Sequence, residues 1–160
     1  MAETKNVYIQ RDVASSKIRT GVANVALRNG DIVAIGTKTK GVYTLSAPKA
    51  DTTLFGIVYN ADVVTEGNYR GLSDDPRDIS FNAGTIVNFY IPEKMDEIAI
   101  TVATNYVSGT SKYLVPTVDS TGYTASATPS DKLNYVITGT SYISIGDTRV
   151  ATIEATCTVA

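Results

Sequence analysis

The sequence is 160 residues long, room for one domain or a domain with an arm, with 43% hydrophobic and 19% charged residues and a formal net charge of −2. That charged fraction is below the quarter or so of an ordinary soluble domain, and Thr, Ser, Asn and Gly fill the difference. Plentiful Val, Ile and Tyr exclude a disordered chain, and the absence of any basic stripe excludes a phosphate-backbone binder, so nucleic acid is not an expected partner.

The opening segment, MAETKNVYIQRD, has no apolar run behind its charges, and no secretory signal is expected in this chain. Residues 1–20 read as a polar N-terminal arm and 21–160 as a single β-rich domain. Asn29-Gly30-Asp31 punctuates the entry to a strand at Ile32–Ile35, and GTKTKG (36–41) reads as the loop before a second strand at Val42–Leu45. Gly-bounded polar loops between apolar runs are hairpin signals, because Gly supplies the positive φ of a tight reversal. Pro48 ends that strand, and Leu54–Tyr59 is the next buried one.

From Glu66 to Asp78 the composition turns to EGNYRGLSDDPRD, an exposed loop. Strand character returns at Ile79–Phe81, a turn follows at Asn82–Gly84, and the most apolar run, Ile86–Ile91, stops at Pro92. Ile98, Ile100 and Val102 alternate with Ala99, Thr101 and Ala103, the period of a half-buried strand. At the C-terminus Ile153, Ala155, Cys157 and Val159 take one face, and Thr152, Glu154, Thr156 and Thr158 the other. The segments 31–48 and 112–129 echo one another, each a strand, a polar turn ending in Gly, a Tyr-Thr pair and a run to Pro; a duplicated hairpin and ordinary hairpin likeness both account for this. Helix candidates are confined to Glu93–Glu97 and Val22–Leu27, and β-branched residues dominate elsewhere. The expected fold is all-β, a compact sandwich or barrel-like domain of short hairpins.

Catalytic chemistry finds little to use. The chain has no histidine, which removes the commonest general base and the imidazole metal ligands. Cys157 is the single cysteine, so no intrachain disulfide or thiolate cage can form, and strand parity places it on an apolar face. Neither kind of Gly-rich phosphate loop occurs. Two carboxylate groups remain, Asp74, Asp75 and Asp78, and Glu93, Asp96 and Glu97. A glycosidase pair or a calcium site could be built from such residues, but there is no Trp to stack sugars and the spacing is not that of an EF-hand; solvated loop acids are the simpler account. The reading is therefore no enzyme, no cofactor, no metal and no small-molecule substrate. No run approaches the roughly 20 apolar residues of a spanning helix, so no membrane partner is expected either. Tyr is abundant, and Tyr8 and Tyr69 lie in segments without a strand pattern, which makes them interface candidates.

The order of a polar arm (2–20), RNGDIVAI (28–35), GVYTLSAPKADTTLFGIV (41–58), FNAGTIVNFYIP (81–92), SGTSKYLVPT (108–117) and a closing strand of alternating Thr resembles small tailed-phage head proteins of the decoration (cement) family, which includes the lambda head decoration protein group. The resemblance implies a virion protein made in the host cytoplasm, commonly a homotrimer, that binds the major capsid protein and clamps neighbouring subunits without chemistry. It further implies an arm that docks on the shell, with Tyr8, Ile9, Arg11, Lys17 and Arg19 as anchors. An adhesive or receptor-binding β domain from a tail, fibre or bacterial surface is the main alternative, and a tail-tube or head-closure subunit another.

Overall fold

A computed structural model describes residues 9–10, 17–59, 80–101, 103–145 and 148–158. The chain is all-β: among the described residues there are eleven strands, β1 (Ile9–Gln10), β2 (Ile18–Ala23), β3 (Ile32–Thr39), β4 (Val42–Ser46), β5 (Phe55–Val58), β6 (Ile86–Tyr90), β7 (Glu97–Ile100), β8 (Tyr113–Pro116), β9 (Tyr123–Ser126), β10 (Tyr135–Ile145) and β11 (Thr148–Cys157). They form two packed sheets. One closes into a five-stranded barrel in the order β2-β4-β3-β5-β6, and the other is open with six strands in the order β1-β7-β11-β10-β8-β9.

The barrel closes because β2 has partners on both sides, β6 antiparallel (Ile18↔Tyr90 to Val22↔Ile86) and β4 parallel (Gly21↔Tyr43 to Ala23↔Leu45). Its interior holds Ala23, Leu27, Val33, Leu45, Val58, Val87 and Phe89. So small a barrel has room only for side chains, and two wall positions must be glycine. A Cβ on Gly21 would lie 2.6 Å from Leu45 Cγ, and one on Gly56 2.8 Å from Phe89 Cδ2.

Alternate residues of the same strands serve the second core. Ile32, Phe55, Ile57 and Tyr90 leave the barrel wall and meet Ile98, Ile100, Leu114, Tyr123, Tyr135, Ile153, Ala155 and Cys157 of the open sheet, with Leu133 from the segment before β10. Strand β5 is buried throughout because one face fills the barrel and the other faces the sheet. At the seam, Thr121 donates its hydroxyl to Asp31 (3.2 Å), its carbonyl accepts from Ile32 N–H (2.9 Å), and the Tyr123 hydroxyl donates to the Gly30 carbonyl (2.5 Å). Burial raises the Asp31 carboxyl from 3.8 to about 6, against the pull of the Arg28 N–H, the Thr121 hydroxyl and the Arg28 charge.

Several expectations are corrected. Neither helix candidate is helical: Val22 and Ala23 belong to β2. At 93–97 the Asp96 carboxylate accepts the Glu93 N–H (2.9 Å), Met95 takes φ 77°, and Glu97 begins β7. The segment GTKTKG is not all loop. Strand β3 runs to Thr39, with an irregularity between Ile35 and Lys38, and the reversal is the pair Lys40-Gly41 at φ 52° and 83°. That geometry suits the right-handed twist of the hairpin. The two similar segments become the β3–β4 and β8–β9 hairpins, in different sheets and with turns of different length. Ile98, Ile100, Ile153, Ala155 and Cys157 are buried on the parity expected, while Val102, Val159 and the loop 66–78 lie outside the described residues.

Candidate functional site

Strands β10 and β11 are the longest among the described residues, and they outreach their neighbours. Strand β8 pairs with β10 only at Tyr135 and Val136, and β7 pairs with β11 only from Ile153 to Thr156. Beyond those points Ser141–Ile145 and Thr148–Thr152 pair only with each other among the described residues, and the outer edge of β10 has no strand partner there from Gly139 to Ile145. At about 3.3 Å per residue, the five residues from Ser141 to Ile145 form a two-stranded ribbon roughly 16 Å long, and the outer edge of β10 is open for about 23 Å from Gly139 among the described residues.

A bulge at Thr138, whose hydroxyl donates to the Glu154 carbonyl (3.3 Å), marks where the ribbon leaves the sheet. Bulges bend and twist a strand, so the ribbon departs at an angle set by this extra residue. Thr140, Ser141, Tyr142, Arg149 and Ala151 are exposed, and the Arg149 guanidinium lies 4.3 Å from the centre of the Tyr142 ring. Tyr142 is 59% exposed, high for a large aromatic side chain. Isolated two-stranded ribbons are marginal in water. This one gains from its root in the sheet, and its main-chain edges, bare among the described residues, are ready to accept another strand.

Hydrogen-bond parity fixes which groups point outward. Cys157 N–H bonds to the Asp96 carbonyl, away from β10, so Ala155, Ile153, Ala151 and Arg149 also turn away from β10. Their partners across the ladder, among them Thr140, Tyr142 and Ser144, face outward on the β10 side.

A second feature is a cleft of about 320 Å³ between the barrel and the sheet, lined by Thr53–Phe55, Ile91–Pro92 and Asp131–Leu133. Leu54 and Ile91 are its exposed apolar residues, and Lys132 beside it donates to the Ala50 carbonyl (2.5 Å).

The residues singled out from sequence do not gather into one site. Tyr8, Arg11 and Tyr69 lie outside the described residues. Ile9 pairs with Ala99 at the edge of the open sheet. Lys17 is paired with Glu93 at 2.6 Å, and Arg19, in barrel strand β2, donates to the Ile18 carbonyl (3.3 Å). Strand β2 thus begins inside the range read as the arm. Asp74, Asp75 and Asp78 lie outside the described residues, and among those described no three His, Cys, Asp or Glu side chains group to hold a metal. Sequence reasoning missed the ribbon. Its signal was present: from Tyr135 to Ile145 the chain has neither a charge nor a proline.

Comparison with family models, curated proteins and solved structures returned no match to any of them.

Proposed function

We propose that this chain is a non-catalytic structural subunit that holds other protein subunits together, specifically a decoration protein on the outer surface of a tailed-phage capsid. The ribbon carries the first half of this reading. A two-sheet body that projects a ribbon whose edges are unpaired among the described residues is suited to bind protein by strand addition, where main-chain hydrogen bonds give affinity. The resemblance in element order carries the second half, with the major capsid protein as partner and a homotrimer as the assembled form. Clamping then works by avidity, each modest contact being reinforced by its linked neighbours.

The test is sedimentation of the purified protein with expanded empty phage heads. Co-sedimentation at a fixed stoichiometry supports the reading, and deletion of residues 2–8, which removes the anchor Tyr8, is expected to weaken it. A protein that ignores heads but binds cells or glycans belongs instead to the adhesive class.

A further inference from the structure

We propose that the ribbon pairs with the ribbon of a second copy of this chain, β10 against β10 in antiparallel fashion, about a two-fold axis through Tyr142. The outer edge of β10 from Gly139 to Ile145, without a strand partner among the described residues, has Tyr142 at its midpoint. The register that overlaps all of it sets Thr140 opposite Ser144 of the second copy and Tyr142 opposite its own counterpart. Thr140, Tyr142 and Ser144 are the residues whose main-chain groups point outward, so this one register turns every outward N–H and C=O into a narrow pair exchanging two hydrogen bonds. The result is a four-stranded antiparallel sheet shared by two molecules, self-complementary as a two-fold contact requires.

The rest of the molecule points to the same occupant. Natural sheets guard open edges with charges and prolines, and β10 has neither, whereas the outer edge of β11 carries Arg149. The barrel has no edge, because it is closed. Strand β9 has its outer edge bonded to Thr104, whose N–H reaches the Tyr123 carbonyl (2.8 Å) and whose carbonyl accepts from Ala125 (2.8 Å). Beyond the ribbon, the outermost strand of the open sheet among the described residues is the two-residue β1, too short as described to template a strand. A contact between two seven-residue edges lies below the roughly 1,200 Å² of a stable standard interface. The association is therefore weak and concentration-dependent in solution, and becomes durable where copies are held close together. It stands whatever particle, if any, the protein decorates, and a two-fold ribbon contact is compatible with a trimer formed elsewhere on the surface.

Sedimentation equilibrium over a wide concentration range tests it, with the full chain and two variants. Thr140→Pro removes one outward N–H and leaves the inward ladder to β11 intact. Tyr142→Lys sets two ammonium groups opposite each other on the axis. Wild type is expected to rise with concentration to about twice the mass of Thr140→Pro, as a two-fold contact requires. Tyr142→Lys is expected to match Thr140→Pro at low salt and recover part of the association at high salt. Far-UV circular dichroism of Tyr142→Lys guards against misfolding, since Tyr142 is exposed. Equal masses for wild type and Tyr142→Lys at every concentration overturn the proposal. So does a result in which Thr140→Pro keeps the wild-type mass but loses binding to heads, which would make the occupant a strand of another protein.

Discussion

Tyr123 of the open sheet donates its hydroxyl to the main-chain carbonyl of Gly30 at the mouth of the barrel, 2.5 Å away, with both residues buried. The neighbouring Tyr135, its ring centre 6.4 Å from that of Tyr123, is equally buried, yet its hydroxyl has no hydrogen-bond partner among the described residues. One chemical change therefore has two outcomes. Tyr123→Phe orphans a buried carbonyl and is expected to lower unfolding stability by about 1–3 kcal/mol. Tyr135→Phe removes an unsatisfied hydroxyl and is expected to be neutral or stabilising by up to about 1 kcal/mol. Urea denaturation of the two variants checks this; equal destabilisation would sink the assignment.

Asp31 predicts an unusual pH response. Its folded carboxyl is raised from 3.8 to about 6, so the folded state holds the proton more tightly than the unfolded chain. The stabilisation is fully present below about pH 4 and is lost as pH rises through 6. At about 1.4 kcal/mol per unit, the two-unit shift sets a ceiling of about 3 kcal/mol. Other carboxylates respond to acid as well, so the observable is the difference between wild type and Asp31→Asn. Relative to the variant, wild type should gain stability between about pH 7 and pH 4.5. Parallel curves would refute the prediction.

Gly56→Ala is expected to destabilise by about 1–3 kcal/mol through overpacking. The added methyl would sit 2.8 Å from Phe89 Cδ2 and 3.2 Å from Ile35 Cδ1, inside the barrel. Gly139→Ala, where a Cβ meets nothing within 4 Å, serves as the control and should cost far less. Thermal melts of the pair measure the contrast.

Cys157→Ser should lower the melting temperature, since Cys157 is fully buried against the sheet core and a hydroxyl there needs a partner. Association through the ribbon should survive, as β10 and β11 keep their ladder. A variant with unchanged melting would place the side chain outside the core.

Much of the fold could be read from the chain because local pattern and local structure agree. Period-two alternation gave Ile98 and Ile100, and Ile153 with Ala155 and Cys157, their buried faces. The β3–β4 hairpin was visible too, but its turn was drawn too wide, because Thr37, Lys38 and Thr39 are exposed strand residues that look like loop. Division into a barrel and an open sheet was not legible. It depends on β2 pairing with β4 and β6, contacts between distant segments that no short window contains. Val22–Leu27 illustrates the cost, a weak helical pattern overruled by pairing on both sides of the strand. The ribbon escaped for a different reason: Thr, Ser and Gly at 138–144 resemble a polar connection, and the informative property was the missing charge.

The order of strands also sets a timetable for synthesis. Every barrel strand lies between Ile18 and Tyr90, whereas the open sheet, β1 apart, draws on Glu97 to Cys157. Domains emerging from the ribosome fold from the N-terminal side first, so the barrel can close while most of the sheet is still untranslated. Until β7 to β11 arrive, Ile32, Phe55, Ile57 and Tyr90 stand as an uncovered apolar flank on a finished barrel. The nascent protein is thus most in need of a chaperone midway through translation, and a stall after Tyr90 would leave an intermediate that is well formed inside and adhesive outside.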